Sequence, residues 1–338
     1  MPAKQDLTVT SVLWLLPALV FALILGFATN RGGICMVRAF EELRCGLGWP
    51  RLFGFAKTAA WVMLAVSLWA MGTERAPVME SWALTGLGLV GGLLFGLGAA
   101  INQACAMGTL GALGQGQMGM SLTLAGLGLG AALMVTVRAV LPIPAPVTAV
   151  PLIPPHSSAM ALVVLLLCVW AVLDLRHLRR CHEIPSSLGT ALHQRPYGFS
   201  FAALLIGLSN AAMSTLIGQW AYTGTIADSA AAIAHSAPLP AARWALFAAA
   251  IVGSVLAAMA SGSVRLAWRP RLAWLRHLLG GMLMAVGVSL APGGNDELML
   301  HAIPGLSPHG LPVFAAMAAG IWAGLAMLGQ RPIHRHRD

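Results

Sequence analysis

From Ser81 to Val137 the chain runs 57 residues without a Lys, Arg, Asp, Glu or His. A hydrocarbon layer roughly 30 Å thick is crossed by about 20 helical residues, so this stretch is too long for one crossing. Two crossings leave a remainder, "INQACAMGTLGALGQGQ", at residues 101–117. It is rich in glycine and amides, carries no charge, and holds one cysteine, Cys105. Solvated loops seldom have that character. The remainder is expected to dip back into the membrane with Cys105 at its tip, because irregular backbone at that depth persists only where protein or a cavity lines it.

Composition agrees. Of 338 residues, 58% are hydrophobic and 9% charged, with a mean hydropathy of +0.79; a soluble domain carries about 25% charged residues. An all-α polytopic membrane protein is expected, not an enzyme, with no cofactor and no nucleic-acid partner. The net charge of +9 speaks first of membrane sidedness, since basic residues gather on the cytoplasmic face. Five cysteines, an odd number, do not read as a disulfide scaffold. The apolar stretch at residues 12–27 is longer than a signal-peptide core and no small-residue cleavage site follows it. Its basic residues, Arg31 and Arg38, come after it. A retained first span with the N-terminus outside is expected.

Nine spans are expected, at residues 9–28, 52–71, 83–102, 120–141, 159–175, 198–217, 241–261, 272–290 and 310–329. Four short neutral or Gly-marked pieces lie between them, at 31–40, 102–114, 218–230 and 291–300, each too short to cross. If each short piece returns to the side it left, one side holds Arg31, Arg38, Arg44, Arg51, Lys57, Arg176, Arg179, Arg180, Arg195, Arg265, Arg269, Arg271, Arg276, Arg331, Arg335 and Arg337. The other holds Lys4, Arg75, Arg138 and Arg243. Sixteen of the 20 basic residues on one side place the C-terminus in the cytoplasm of a cell inner membrane.

The element order also repeats: span, short piece, span, span, short piece, span. Residues 1–158 form a first half and 198–338 a second, with the span and cytoplasmic loop of 159–197 between them. The odd linking span makes the second half enter from the opposite face. That is an inverted repeat, an arrangement that puts the conducted solute near the midplane between broken helices.

Several residues stand out for chemistry. Cys105 has Asn102 and Gln103 before it and Gly108 and Thr109 after it. Amides and thiols at membrane depth are costly unless they meet partners or a pathway, and half-helix N-termini favour an anion. On residues alone, Cys105 is either a path thiol or a small buried apolar side chain. Cys35 lies in the matching piece of the same half, flanked by Arg31 and Arg38; those arginines are either thiol activators or ordinary cytoplasmic anchors. Cys45 reads as a loop thiol and Cys168 as packing. Cys181-His182-Glu183 and the tail "HRHRD" read as solvated segments without metal-site spacing. Asn295, Asp296 and Glu297 follow a span on the outer side; either they cap a short helix, with Asp296 and Glu297 favouring its N-terminus, or the Gly293, Gly294 and Asn295 backbone forms an outer mouth.

The segments "GFATNRGGICMVRAF", "GLGAAINQACAMGTLGALGQG", "GLSNAAMSTLIGQW" and "GGMLMAVGVSLAPGGND", taken in order over most of the chain, resemble the YeeE/YedE family of sulfur-compound transporters, which includes thiosulfate uptake proteins. The resemblance implies nine spans and four short embedded helices forming an hourglass, with Cys35 and Cys105 on a narrow path. It also implies uptake of a small sulfur-containing anion such as thiosulfate, and a small cytoplasmic sulfur-carrier protein as partner. Two positions depart from the family pattern: Gly294 stands where a third path cysteine is usual, and Ala112 where an arginine is. The alternative activity is a membrane sulfurtransferase or redox relay, passing a persulfide through Cys105 and Cys35 to the carrier.

Overall fold

A computed structural model describes residues 9–73, 79–154, 157–185, 187–193, 196–239, 241–267 and 274–329. The first half comprises α1 (Val9–Gly32), α2 (Met36–Arg44), α3 (Pro50–Thr73), α4 (Gly86–Asn102), α5 (Ala106–Gly114) and α6 (Ser121–Val140). Then come α7 (Ser158–Arg180) and a short helix not expected from sequence, α8 (Leu188–His193). The second half comprises α9 (Phe199–Ile217), α10 (Tyr222–Ala234), α11 (Ala241–Ala260), α12 (Leu275–Leu290), α13 (Asn295–Glu297) with a π-helical turn Leu298–Ala302, and α14 (Gly310–Met327). Eight helical segments among the described residues are long and apolar enough to cross a membrane. A ninth is added if Leu275–Leu290 and Asn295–Ala302, bent by 51°, count as one. Lys4, Arg75, Arg195, Arg269, Arg271, Arg331, Arg335 and Arg337 lie outside the described residues.

Ordinary caps start some spans. The Thr85 hydroxyl accepts from the Gly88 N–H at 3.0 Å to open α4, and that of Ser157 accepts from Met160 N–H at 3.2 Å to open α7. The Glu183 carboxylate, expected to be solvated, accepts from Phe201 N–H at 3.3 Å in the first turn of α9. The four short helices begin differently. Each starts four or five residues later than the sequence indicates, because an extended turn precedes it. Every such turn contains one left-handed residue: Gly33, Gln103, Gly218 or Gly293. Three are the glycines that this backbone favours; Gln103, at φ 64°, is the exception.

Helix pairing follows the repeat. α4 packs on α12 and α14, and α12 on α6; α1 packs on α11 and α9, and α9 on α3. Laying α1–α6 on α9–α14 in chain order turns α4–α14 into α12–α6 and α1–α11 into α9–α3. The pairs α4–α12 and α1–α9 map onto themselves. α4 and α12 cross antiparallel through glycines, Gly91 beside Gly287 and Gly98 beside Gly280. A Cβ on Gly98 would lie 2.7 Å from the Gly280 carbonyl oxygen, and one on Gly280 the same distance from that of Gly98. Small residues let membrane helices approach this closely.

The linking helix α7 is the least enclosed. Leu162, Leu165, Leu166 and Leu173 are exposed, as lipid-facing side chains are. One polar cluster ties it down: Lys57 Nζ reaches Asp174 Oδ1 at 2.5 Å and Ser200 Oγ at 2.6 Å, and the Trp61 indole donates to Asp174 Oδ2 at 3.3 Å. The Asp174 side chain is 3% exposed and that of Lys57 24%. Removing one partner of a buried pair strands the other, at a cost of about 3–5 kcal/mol, whereas replacing both with apolar residues is often near neutral. Asp174→Ala therefore lowers the melting temperature of the detergent-solubilised protein. The double variant Lys57→Met with Asp174→Leu recovers most of that loss, read by intrinsic tryptophan fluorescence.

Candidate functional site

The four short helices meet at their N-termini. Their N-cap residues are Cys35 for α2, Cys105 for α5, Ala221 for α10 and Gly294 for α13, all extended and none capping with its own side chain. The equivalent positions share backbone angles: Cys35 (φ −145°, ψ 125°) with Ala221 (φ −138°, ψ 145°), and Cys105 (φ −80°, ψ −177°) with Gly294 (φ −83°, ψ 179°). The two thiols of the first half are matched by a methyl group and a hydrogen in the second.

Cys35 and Cys105 touch. The Cys105 thiol donates to Cys35 Sγ at 3.7 Å and accepts from the Met36 N–H, at the start of α2, at 3.2 Å. Cys35 is 3% exposed and Cys105 fully buried. Gly108, one turn into α5, faces the pair, and a Cβ there would lie 2.5 Å from Cys35 Sγ. Asn102 and Thr109 do a different job. Asn102 Nδ2 donates to Ala104 O at 2.8 Å and Thr109 Oγ1 at 3.2 Å, while its Oδ1 accepts from Thr123 Oγ1 at 2.7 Å and meets His277 Nδ1 at 2.9 Å. This network braces the turn that presents Cys105, and Gln103 forms the turn itself, donating its N–H to Ala100 O at 3.1 Å.

In the second half, Asn295 Oδ1 accepts from the Ala106 N–H, at the start of α5, at 3.1 Å. Asn295 is fully buried and its Nδ2 has no hydrogen-bond partner among the described residues. Asp296 meets the backbone of its own short helix and also reaches beyond it. Its carboxylate accepts from Thr223 Oγ1 at 2.6 Å and Thr223 N–H at 3.3 Å, in the first turn of α10, where the dipole favours a negative group. The cause is Gly294. With no side chain there, the space is taken: a Cβ would lie 2.6 Å from Asp296 Oδ1 and 2.7 Å from Thr223 Oγ1. Thus Cys105 caps α2 across the first half, while Asp296 caps α10 across the second. Glu297 instead accepts from Gln219 Nε2 at 3.1 Å.

Sequence reasoning missed several partners. Tyr222 donates its hydroxyl to Ala106 O at 2.7 Å and stacks on Phe247 at 5.1 Å. Asn30 Nδ2 donates to Gly111 O, and Asn210 Nδ2 to Leu300 O, both at 3.0 Å. These two asparagines hold the second short element of each half from α1 and α9, Asn30 near the end of α1 and Asn210 within α9. Arg51 holds the Gly33 carbonyl and pairs with Glu42. Arg31 lies over the Phe27 and Tyr197 rings and donates to Leu192 O, whereas Arg38 is exposed. Cys45 and Cys168 are half-buried and Cys181 is exposed, 3.7 Å from the His177 ring. Ala112 packs with Ala104 and Met120. Among the described residues no group of three or more His, Cys, Asp or Glu is placed to hold a metal.

The family model described as "Sulphur transport" matches residues 31–323. The chain is also 27% identical over 349 aligned residues to the thiosulfate transporter TsuA of Escherichia coli (strain K12), covering 96% of this chain and 97% of that protein.

Crowding at Gly294 is open to measurement. Gly294→Cys destabilises the protein, and Asp296→Ala in the same chain relieves part of that loss. A double-mutant cycle of thermal stabilities gives a favourable interaction of about 1 kcal/mol, within the range for contacting residues.

Proposed function

This chain belongs to the sulphur transport family, and we propose that it imports a small sulfur-containing anion, thiosulfate in the first instance, across the cell inner membrane without converting it. The observation that carries this reading is the contact of Cys35 and Cys105 where four helix N-termini meet. Helix N-termini favour an anion, and a thiol is a weak donor that releases it again, as conduction requires. Likeness to a thiosulfate transporter over 96% of the chain supports the choice of solute.

On this reading Cys35, Cys105, Gly108 and Asn295 line the path, and Asn102, Gln103, Thr109, Gly293 and Gly294 shape the turns that form it. The two halves are an inverted repeat, a reading supported by the antiparallel crossing of α4 and α12. The excess of basic residues on one side supports a cytoplasmic C-terminus and an outer N-terminus. A small cytoplasmic carrier protein receives the sulfur compound inside.

The 3.7 Å separation of the two sulfurs also favours a second reading, a sulfurtransferase relay through Cys105 and Cys35. Intact-protein mass spectrometry during turnover separates the two. Conduction leaves both thiols unmodified; a relay leaves a substrate-dependent sulfur adduct. For conduction, Cys105→Ala lowers uptake of labelled thiosulfate about tenfold in cells lacking other importers, the loss of one hydrogen bond worth roughly 1.4 kcal/mol. Uptake equal to wild type removes the thiol from the mechanism.

A further inference from the structure

The crossing point contains a carboxylate that an anion path would not be expected to tolerate. Asp296 is 1% exposed, and its hydrogen-bond partners are all neutral: the hydroxyl and N–H of Thr223 and the backbone N–H groups of Asp296 and Glu297. None of the three salt bridges among the described residues includes it. The nearest groups able to carry charge give little relief. α10 contributes Tyr222, whose hydroxyl is committed to Ala106 O, and Asp228, which is paired with Arg243 of α11. Cys105 and Cys35, from α5 and α2, lie near the same Tyr222 hydroxyl that Asp296 approaches. Its own segment adds Glu297 and His301, the latter held at Trp220 O, and Glu80 lies in the loop beyond Gln219. Beside this carboxylate lies Asn295, with a fully buried amide N–H group that has no partner among the described residues. A buried donor without an acceptor marks a place for a ligand that accepts hydrogen bonds, and here the acceptor would be an oxyanion.

An anion at Asn295 and a charged Asp296 repel each other strongly in a poorly screened interior. A protonated carboxyl does the opposite. It adds an O–H donor, and Thr223 Oγ1, now donating at 2.6 Å, accepts from it after rotating. Resting on the transport reading above, we propose that Asp296 takes up a proton from the outer side as the anion seats at Asn295 and gives it up inside as the anion leaves, so that solute and proton enter together. Linkage makes the effect mutual: anion binding favours the proton and the proton favours anion binding.

The test uses purified full-length protein in liposomes with a trapped pH dye and a potassium–valinomycin clamp. Sodium thiosulfate added outside acidifies the lumen in step with uptake of labelled thiosulfate for wild type, for Asp296→Glu and for Glu297→Gln. Asp296→Asn takes up thiosulfate without acidification. With Asp296 as the proton carrier, lowering the outside pH raises the wild-type initial rate by up to about tenfold per unit at subsaturating thiosulfate, and leaves that of Asp296→Asn flat. Wild-type uptake without lumen acidification overturns the proposal. So does acidification by Asp296→Asn equal to wild type, or its loss in Glu297→Gln alone. Absence of thiosulfate uptake by the intact wild-type protein overturns the transport reading and this inference with it.

Discussion

A helix that ends inside hydrocarbon leaves its first backbone N–H groups without water, and each such group needs an acceptor from elsewhere in the protein. Four short helices in this chain begin at buried N-cap residues, and none is capped by its own N-cap side chain. They cap one another. Cys105 serves α2 through the Met36 N–H, Asn295 serves α5 through Ala106 N–H, and Asp296 serves α10 through Thr223 N–H. The halves are therefore joined at the same point where their backbones are most polar. The glycine crossing of α4 and α12 brings that junction together, and the brace around Asn102 and the paired asparagines Asn30 and Asn210 hold its parts in register.

The junction is symmetric in backbone and asymmetric in chemistry. Cys105 and Gly294 share dihedral angles within a few degrees, yet one carries a soft donor and the other nothing. The missing side chain is not a void, since Asp296 and Thr223 occupy its place. The resemblance implies a thiol at position 294; here the Asp296 carboxylate, two residues on, lies where that side chain would be. On the proposal above it gives that half a group that binds a proton in place of one that binds through sulfur.

Much of this was legible in the residues. Spans announce themselves by 20-residue apolar runs, and the breaks by uncharged, glycine-rich pieces too short to cross; both match the helices observed to within a few residues. The short helices start later than the glycine-marked pieces because an extended turn precedes each; three of those turns carry a glycine at positive φ, while Gln103 leaves no such mark. Asn102 and Thr109 stand out in the sequence beside Cys105, but that they meet each other and Thr123 was not legible, since a spacing of seven residues does not say which way a side chain turns. Asp296 also reaches Thr223, 73 residues away. Contacts between distant segments depend on how the helices dock, and no local pattern records that.

The central claim is that a sulfur-containing anion rests at the junction of the four helix N-termini, against Cys105. Anomalous diffraction from crystals soaked in selenosulfate, which carries selenium at the terminal position of thiosulfate, locates it directly. The account predicts a selenium peak within about 4 Å of Cys105 Sγ or Cys35 Sγ, with the oxygen atoms toward Asn295 Nδ2. A peak confined to the surface, with none at the junction under conditions that support uptake, would contradict it.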